Sequence, residues 1–342
     1  MSALAAESLL TRWSIGASHI DLILWAGALA SAQINFQLIH NYPIAIPRII
    51  FYTLSSSVCN QNVLNYIKRI KMEFFLNWTW GDINAGDVGP GMFSWFHILC
   101  LVLMVLFTVV LCKTLGKKHD PKTERKVVGV FAVLLVLCEV FKQFFWFEFY
   151  GYYRWEIFPF QFCSVPIYIS VFAALVPSDK IREICYRFLA FFGIIGGIAV
   201  MAVPSAVLYT YFVPISIHSM IWHSILIAMG AYLIVSRGYG RKFKELLAPF
   251  YMYLGCIVTA IVGNILVYKL HLGTDACQPG DNLSMFYISP YYPTQLPLLG
   301  AVQEVSYPLF VLCYIAFFSC LTLLVWFVAN RAWKAVDKKK AH

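Results

Sequence analysis

Cys163, His218 and His223 are the residues whose types could carry out nucleophilic chemistry in this chain. Glu139, Lys142, Gln161, Ser164, Asn264 and Glu304 are the polar groups that could serve them. A thiol that meets a histidine from another segment is an activated nucleophile, because the imidazole takes its proton during attack. His218 and His223 are five residues apart. On a helix, five steps of about 100° place them roughly 140° apart, so one of the two is expected at a shared site. His223 lies deeper and is the favoured base, with His218 nearer the interface. Glu139 and Lys142 stand at i and i+3 and can pair on one helix face. Gln161, Ser164 or Asn264 could donate a hydrogen bond to an oxyanion. The same residues also have structural readings. Glu139–Lys142 reads equally as a buried ion pair, and a lone intramembrane histidine is often a helix–helix hydrogen bonder.

The elements that must position these groups are membrane helices. The chain of 342 residues is 60% hydrophobic and 17% aromatic but only 13% charged, with a mean hydropathy of +0.71. A soluble domain carries roughly twice that charged fraction, so lipid must face most of these side chains. The net charge of +9 does not imply nucleic acid, because the basic residues lie in short loops between apolar runs. The fold class is all-α, a polytopic membrane helix bundle with seven core transmembrane helices. Six runs are of spanning length: Met92–Cys112, Val127–Phe147, Phe188–Pro204, Ile215–Val235, Leu247–Tyr268 and Ser306–Ala329. Pro159–Val176 is a shorter and more polar seventh, third in chain order.

Loop charge supports that count. Lys113, Lys117, Lys118, Lys122, Arg125 and Lys126 follow the first run. Lys180, Arg182 and Arg187 follow the third; Arg237, Arg241, Lys242 and Lys244 follow the fifth; Arg331, Lys334, Lys338, Lys339 and Lys340 form the tail. The alternate loops lack this excess. The positive-inside rule then places the C-terminus in the cytoplasm of a multi-pass cell-membrane protein, and the titratable cluster toward the outer side. Tyr150, Tyr152, Tyr153, Trp155, Tyr209, Tyr211, Tyr287, Tyr291 and Tyr292 read as the outer interfacial belt. Residues 72–330 form the bundle, residues 331–342 a basic cytoplasmic tail, and residues 1–71 an extension that fits the charge pattern poorly. Either Met72 is the natural start or Asp21–Ile39 is an eighth span; peptides mapped upstream of Met72 in the native protein would exclude the first.

Ten cysteines are present. Cys100, Cys112, Cys138, Cys256, Cys313 and Cys320 lie in apolar runs and read as small buried hydrophobes. Their spacing indicates neither a metal site nor a disulfide framework, and no cofactor is called for. Cys163 differs. With Pro159 in the first turn of the third helix, Cys163 lies about one turn in, where a helix N-terminus favours a thiolate. Pro166 then makes the helix irregular, which a membrane tolerates where the backbone lines a cavity or is buried in protein.

The run Phe158-Pro159-Phe160-Gln161-Phe162-Cys163-Ser164-Val165-Pro166 resembles a signature of the bacterial YwaF-like integral membrane family. So do Gly196-Gly197-Ile198-Ala199-Val200-Met201 with Pro204, His218-Ser219-Met220-Ile221-Trp222-His223, and Asn282 to Pro290. The resemblance covers roughly residues 72–330. That family is similar to the eukaryotic transmembrane protein 164 family, membrane acyltransferases that load polyunsaturated chains onto ether-linked phospholipids. The resemblance implies that a nucleophilic cysteine maps onto Cys163 and its partner histidine onto His223. Gln161 stands where that pattern often has histidine. The expected function is acyl transfer between membrane phospholipids near the outer leaflet. The alternative is a proton-coupled transporter of small solutes or ions, with Glu139, Lys142, His223 and Glu304 as the relay.

Overall fold

A computed structural model describes residues 73–81, 89–116, 120–204, 212–272, 274, 281–296 and 299–341. The expected extension or extra span in residues 1–71, together with Tyr209 and Tyr211, lies outside them. Met72–His342 forms one compact unit. Its helices are α1 (Trp95–Thr114), α2 (Pro121–Tyr150), α3 (Val165–Leu175), α4 (Asp179–Ala202), α5 (Val213–Arg237), α6 (Leu247–Lys269) and α7 (Tyr307–Ala341). No strand occurs among the described residues beyond one bridge between Thr79 and Phe212.

Six of these helices are long and apolar enough to cross a membrane. At 1.5 Å per residue, 20 residues reach about 30 Å, the thickness of the hydrocarbon core. Their ends follow local chemistry. Ser94 accepts the His97 N–H at 3.3 Å and starts α1. Asp120 caps α2 through the N–H groups of Lys122 and Thr123, with Pro121 in the first turn. Gly151 ends α2 in the left-handed region at φ 73°, a conformation that costs glycine nothing.

Burial separates the helices. In α4 and α5, 72% of the apolar window is buried, against 17–22% in the other four long helices. α4 and α5 are therefore the centre, and α5 packs on α1, α2 and α4. Outward apolar residues such as Leu103, Leu106, Phe107, Val133, Leu137 and Val262 have only lipid to meet in a membrane.

Several expected boundaries shift: α2 begins at Pro121 rather than Val127, and α7 runs on to Ala341 rather than ending at Ala329, so the basic tail continues its helix. The third helix begins at Val165 rather than Pro159, so Pro166 sits in its first turn and breaks nothing. The fourth begins at Asp179 rather than Phe188, because Ser178 caps it at the Ile181 N–H. Lys180, Arg182 and Arg187 are thus helical rather than looped. Midway, Leu189–Gly193 forms a fully buried π-helical turn.

α3 has 11 residues, roughly 16 Å, about half a membrane crossing. Its C-terminal carbonyls, which a helix leaves unpaired, meet two guanidinium groups. Arg125 donates to Ala174 O at 2.7 Å and Leu175 O at 3.4 Å. Arg182 donates to Ala173 O at 3.2 Å and to Val176 O. The N-terminal end continues into an irregular segment, residues 151–164, that lies against a second one, residues 281–296. Irregular backbone at membrane depth must be satisfied inside the protein, and here the two segments satisfy each other. Phe286 N–H donates to Phe160 O at 3.0 Å, and Gln161 Nε2 donates to Ser284 O at 2.9 Å. The buried Asp281 accepts the N–H groups of Trp155 and Glu156 at 2.8 and 2.9 Å.

Candidate functional site

Cys163 immediately precedes Ser164, the N-cap residue of α3. It is a free, half-buried thiol. α5 reaches it directly: Trp222 Nε1 donates to the Cys163 carbonyl at 3.1 Å. α4 joins the two. A Cβ built on Gly196 would lie 3.1 Å from the Cys163 Cα, and one built on Gly197 would lie 2.6 Å from the His223 carbonyl oxygen. Two adjacent glycines thus let α4 press against Cys163 with one residue and against the backbone of His223 with the next.

His223 is 5% exposed. Its Nδ1 lies 2.6 Å from the Ser219 carbonyl. A carbonyl only accepts, so Nδ1 carries the proton and the neutral ring keeps its lone pair on Nε2. Nε2 is buried and has no hydrogen-bond partner. This is the tautomer and orientation a general base requires.

His218 is also buried rather than interfacial, and its ring stacks obliquely near Trp222 and Phe141. The Cys138 carbonyl lies near enough to interact with the ring, but neither nitrogen has hydrogen-bond geometry to a partner. On α2, Lys142 follows Phe141, whose ring lies 6.0 Å from that of His218.

On α2, Lys142 Nζ pairs with Glu139 Oε1 at 2.9 Å, the i, i+3 contact read from the sequence. Gln143 Nε2 donates to the same oxygen at 2.6 Å and to Ile157 O at 2.9 Å. Glu139 Oε2, Gln143 Oε1 and Gln161 Oε1 are buried without hydrogen-bond partners. The cluster therefore offers acceptors that no protein group has consumed. Among the described residues no three His, Cys, Asp or Glu side chains are grouped to hold a metal.

Two candidates stand apart. Asn264 donates to Met285 O at 3.1 Å and accepts the Met285 N–H at 2.8 Å, so its amide is a backbone clamp for the second irregular segment. Glu304 is exposed on the short helix Gly300–Val305 that precedes α7. Its neighbour Gln303 faces inward instead, bonding Ser289 O, Tyr292 O and the Thr294 N–H.

Sequence reading passes over Asp281 and Tyr287. Asp281 is a lone loop carboxylate with no spacing signal. Tyr287 is counted above with the interfacial aromatics, but it belongs to the second irregular segment, whose Phe286 N–H bonds Phe160 O. Phe286 and Tyr287 both adopt left-handed backbone, at φ 58° and 56°. Such non-glycine residues cost about 1–3 kcal/mol each and concentrate at functional sites. The Asn282–Pro290 motif is the one signal that could have pointed there.

Fold and site together define a polytopic membrane helix bundle in which a half-length helix carries a cysteine to a buried histidine helix. Residues 92–329, more than half of the chain, match the TMEM164 family, and the chain belongs to that family. No curated protein and no solved structure matches it.

Proposed function

We propose that this protein is a membrane-embedded phospholipid acyltransferase in which Cys163 is the nucleophile and His223 the general base. The observation that carries the reading is the His223 ring: Nδ1 bound to Ser219 O, Nε2 buried and unpartnered, on the helix whose preceding residue bonds the Cys163 carbonyl. In the first half-reaction the thiol attacks the acyl ester of a phospholipid, Nε2 takes the thiol proton, and the ester C–O bond breaks as the departing lysophospholipid oxygen receives that proton. The thioester is then attacked by the hydroxyl of an acceptor lysophospholipid, whose proton passes through the same histidine to the Cys163 sulfur as the C–S bond breaks. Lys142 suits the anionic phosphate of either lipid. Membership of the TMEM164 family and the expectation drawn from the resemblance agree with this reading. The reading takes from the loop charges a site toward the outer leaflet and a cytoplasmic C-terminus.

The transporter reading has less support. Its relay needs Glu304, which is exposed, and Glu139, which is already paired with Lys142.

An alkyne-tagged, thiol-reactive lipid applied to native membranes tests the proposal. Labelling is expected to vanish in Cys163→Ala and to weaken in His223→Ala. Equal background labelling of all three proteins would sink it and return attention to transport through Glu139.

A further inference from the structure

α7 is longer than a membrane crossing needs. Its 35 residues, Tyr307–Ala341, reach roughly 52 Å at 1.5 Å per residue, against about 30 Å for the hydrocarbon core. The excess falls at the C-terminal end, where the last apolar run, residues 325–329, gives way to Asn330. Beyond it the helix carries Arg331, Lys334, Lys338, Lys339 and Lys340 against a single acid, Asp337.

This extension is held in place by the loop that follows α5. Asn330 Nδ2 donates to Gly240 O at 2.9 Å and Arg241 O at 3.2 Å, and Trp333 Nε1 donates to Tyr239 O at 2.8 Å. Asp337 accepts from the Arg241 guanidinium at 2.5 and 3.2 Å, and that guanidinium lies 4.4 Å over the Trp333 ring. Asn330, Trp333 and Asp337 stand at i, i+3 and i+7, which is one helix face. The clamp therefore occupies the one acid and fixes where the other faces look.

Arg331, Lys334 and Lys338 repeat that spacing one step on, so their face is rotated about 100° from the clamp. All three are exposed, and none forms an ion pair among the described residues. The same face continues back into the core. Phe317, Cys320, Leu324 and Phe327 precede Arg331 at the same alternation of three and four residues, and all four are exposed. One stripe is thus apolar from Phe317 to Phe327 and basic from Arg331 to Lys338. The apolar part is roughly 15 Å long, one leaflet's share of a core of about 30 Å. The basic part begins one turn later, at the depth of the headgroups.

A soluble anion would leave the apolar half unused, and a zwitterionic phospholipid brings no net charge to the basic half. A phospholipid of net negative charge complements both. We propose that this stripe of α7 docks an anionic phospholipid, its chain along Phe317, Leu324 and Phe327 and its phosphate on Arg331 and Lys334. Lys338 lies about 10 Å beyond Arg331, where salt screens it more strongly, and adds less. Lys340, nine steps of about 100° from Arg331, is on the opposite side of the helix and takes no part. The clamping loop follows Arg237, about 22 Å along α5 from Trp222, so the surface is independent of the chemistry at Cys163.

Photo-crosslinking tests the assignment. The full chain is reconstituted in phosphatidylcholine vesicles with a trace of phosphatidylglycerol, or of phosphatidylcholine, carrying the same diazirine-bearing chain. Crosslinks are read by peptide mass over residues 317–327. Wild type is expected to take the phosphatidylglycerol probe at least fivefold better, about fivefold per charge being the scale for a basic residue at an anionic surface. High salt should remove most of that preference. Arg331→Gln with Lys334→Gln should bring the two yields to within about twofold of each other, and Lys340→Gln should leave the preference as in wild type. The phosphatidylcholine yield at the same residues reports whether each variant is folded in the bilayer. Equal yields in wild type, or a preference that survives the loss of Arg331 and Lys334, overturns the proposal. A preference abolished as fully by Lys340→Gln also overturns it, because the attraction would then belong to the tail as a whole and not to the stripe.

Discussion

The two ends of the bundle differ in the kind of polar group they leave unpartnered. At the end where α2 begins and α5 finishes, the charges inside the bundle are consumed by partners. Glu124, fully buried, meets Arg237 at 2.6 Å; Arg237 also reaches Glu183 at 3.5 Å, and Glu183 meets Arg187 at 3.0 Å. Arg125 and Arg182 are taken up by the carbonyls that end α3. At the Cys163 end, His223 Nε2, both nitrogens of His218 and one oxygen each of Glu139, Gln143 and Gln161 are buried without hydrogen-bond partners. Unmet polar groups at membrane depth carry a large desolvation cost. Both ends pair charges, with Lys142–Glu139 and Arg154–Glu156 at 2.9 Å each at the second, and both leave buried hydroxyls or amide oxygens without hydrogen-bond partners; among the described residues the unpartnered imidazole nitrogens lie at the second end, which suits that end to a polar guest. α3 connects the two regimes: its arginine-tied end anchors the helix that presents Cys163 at the other.

The comparison breaks if mutations at the two ends behave alike. The largest effect expected is on activity: His223→Ala should lower acyl transfer about 10²- to 10⁴-fold with little change in thermal unfolding, both measured on the reconstituted protein. Arg237→Met should do the reverse. It strands the Glu124 carboxylate in a buried site, a loss of about 3–5 kcal/mol, visible as a lowered unfolding midpoint in detergent. The residual folded fraction should keep its specific activity.

Gly197→Ala sharpens the picture where the ends meet. Its new methyl would press on the His223 carbonyl at 2.6 Å and on Ile227 at 2.7 Å. Overpacking of this kind costs about 1–3 kcal/mol and should displace His223, so both stability and transfer fall. Gly196→Ala meets Cys163 at 3.1–3.3 Å and should affect transfer more than stability.

The smallest effect lies outside the membrane spans. The Thr123 hydroxyl, and then the Lys122 and Thr123 N–H groups, hold the Asp120 carboxyl below its ordinary value. A depressed folded-state value means that the cap's contribution is present above the unfolded value, about pH 3.9, and is lost as pH falls through the folded value. Asp120→Asn should therefore flatten the acid limb of a stability-versus-pH curve slightly and leave the neutral range unchanged.

Much of the bundle was legible because lipid enforces a simple code. Apolar length gave six long helices, and the loop arginines and lysines pointed to a seventh element at α3. The boundaries of α3 and α4 were less legible. The aromatic run Phe158–Phe162 is as apolar as a helix, yet its backbone pairs with Ser284 and Phe286, contacts more than 120 residues away in sequence. Nothing local to Pro159 announces that. Of the candidate site, Cys163, His223, Lys142 and Glu139 were singled out by type and helical spacing, and of these the structure shows the Glu139–Lys142 pairing directly. Asn264 was readable as a buried polar group but not as a clamp, since its partner lies in the Met285 backbone. Tyr287 resembled the interfacial tyrosines around it; its left-handed backbone shows only in the structure.

The central claim is that Cys163 takes an acyl chain from a phospholipid with the help of His223. The most direct measurement incubates the reconstituted full chain with a phospholipid of one defined chain, quenches in acid and weighs the Cys163 peptide. The account predicts a mass increase equal to that acyl group, removable by hydroxylamine, absent in Cys163→Ala and slowed about 10²-fold or more in His223→Ala. An unmodified Cys163 peptide from a protein that nevertheless moves chains between lipids would contradict it, because transfer would then proceed without the thioester.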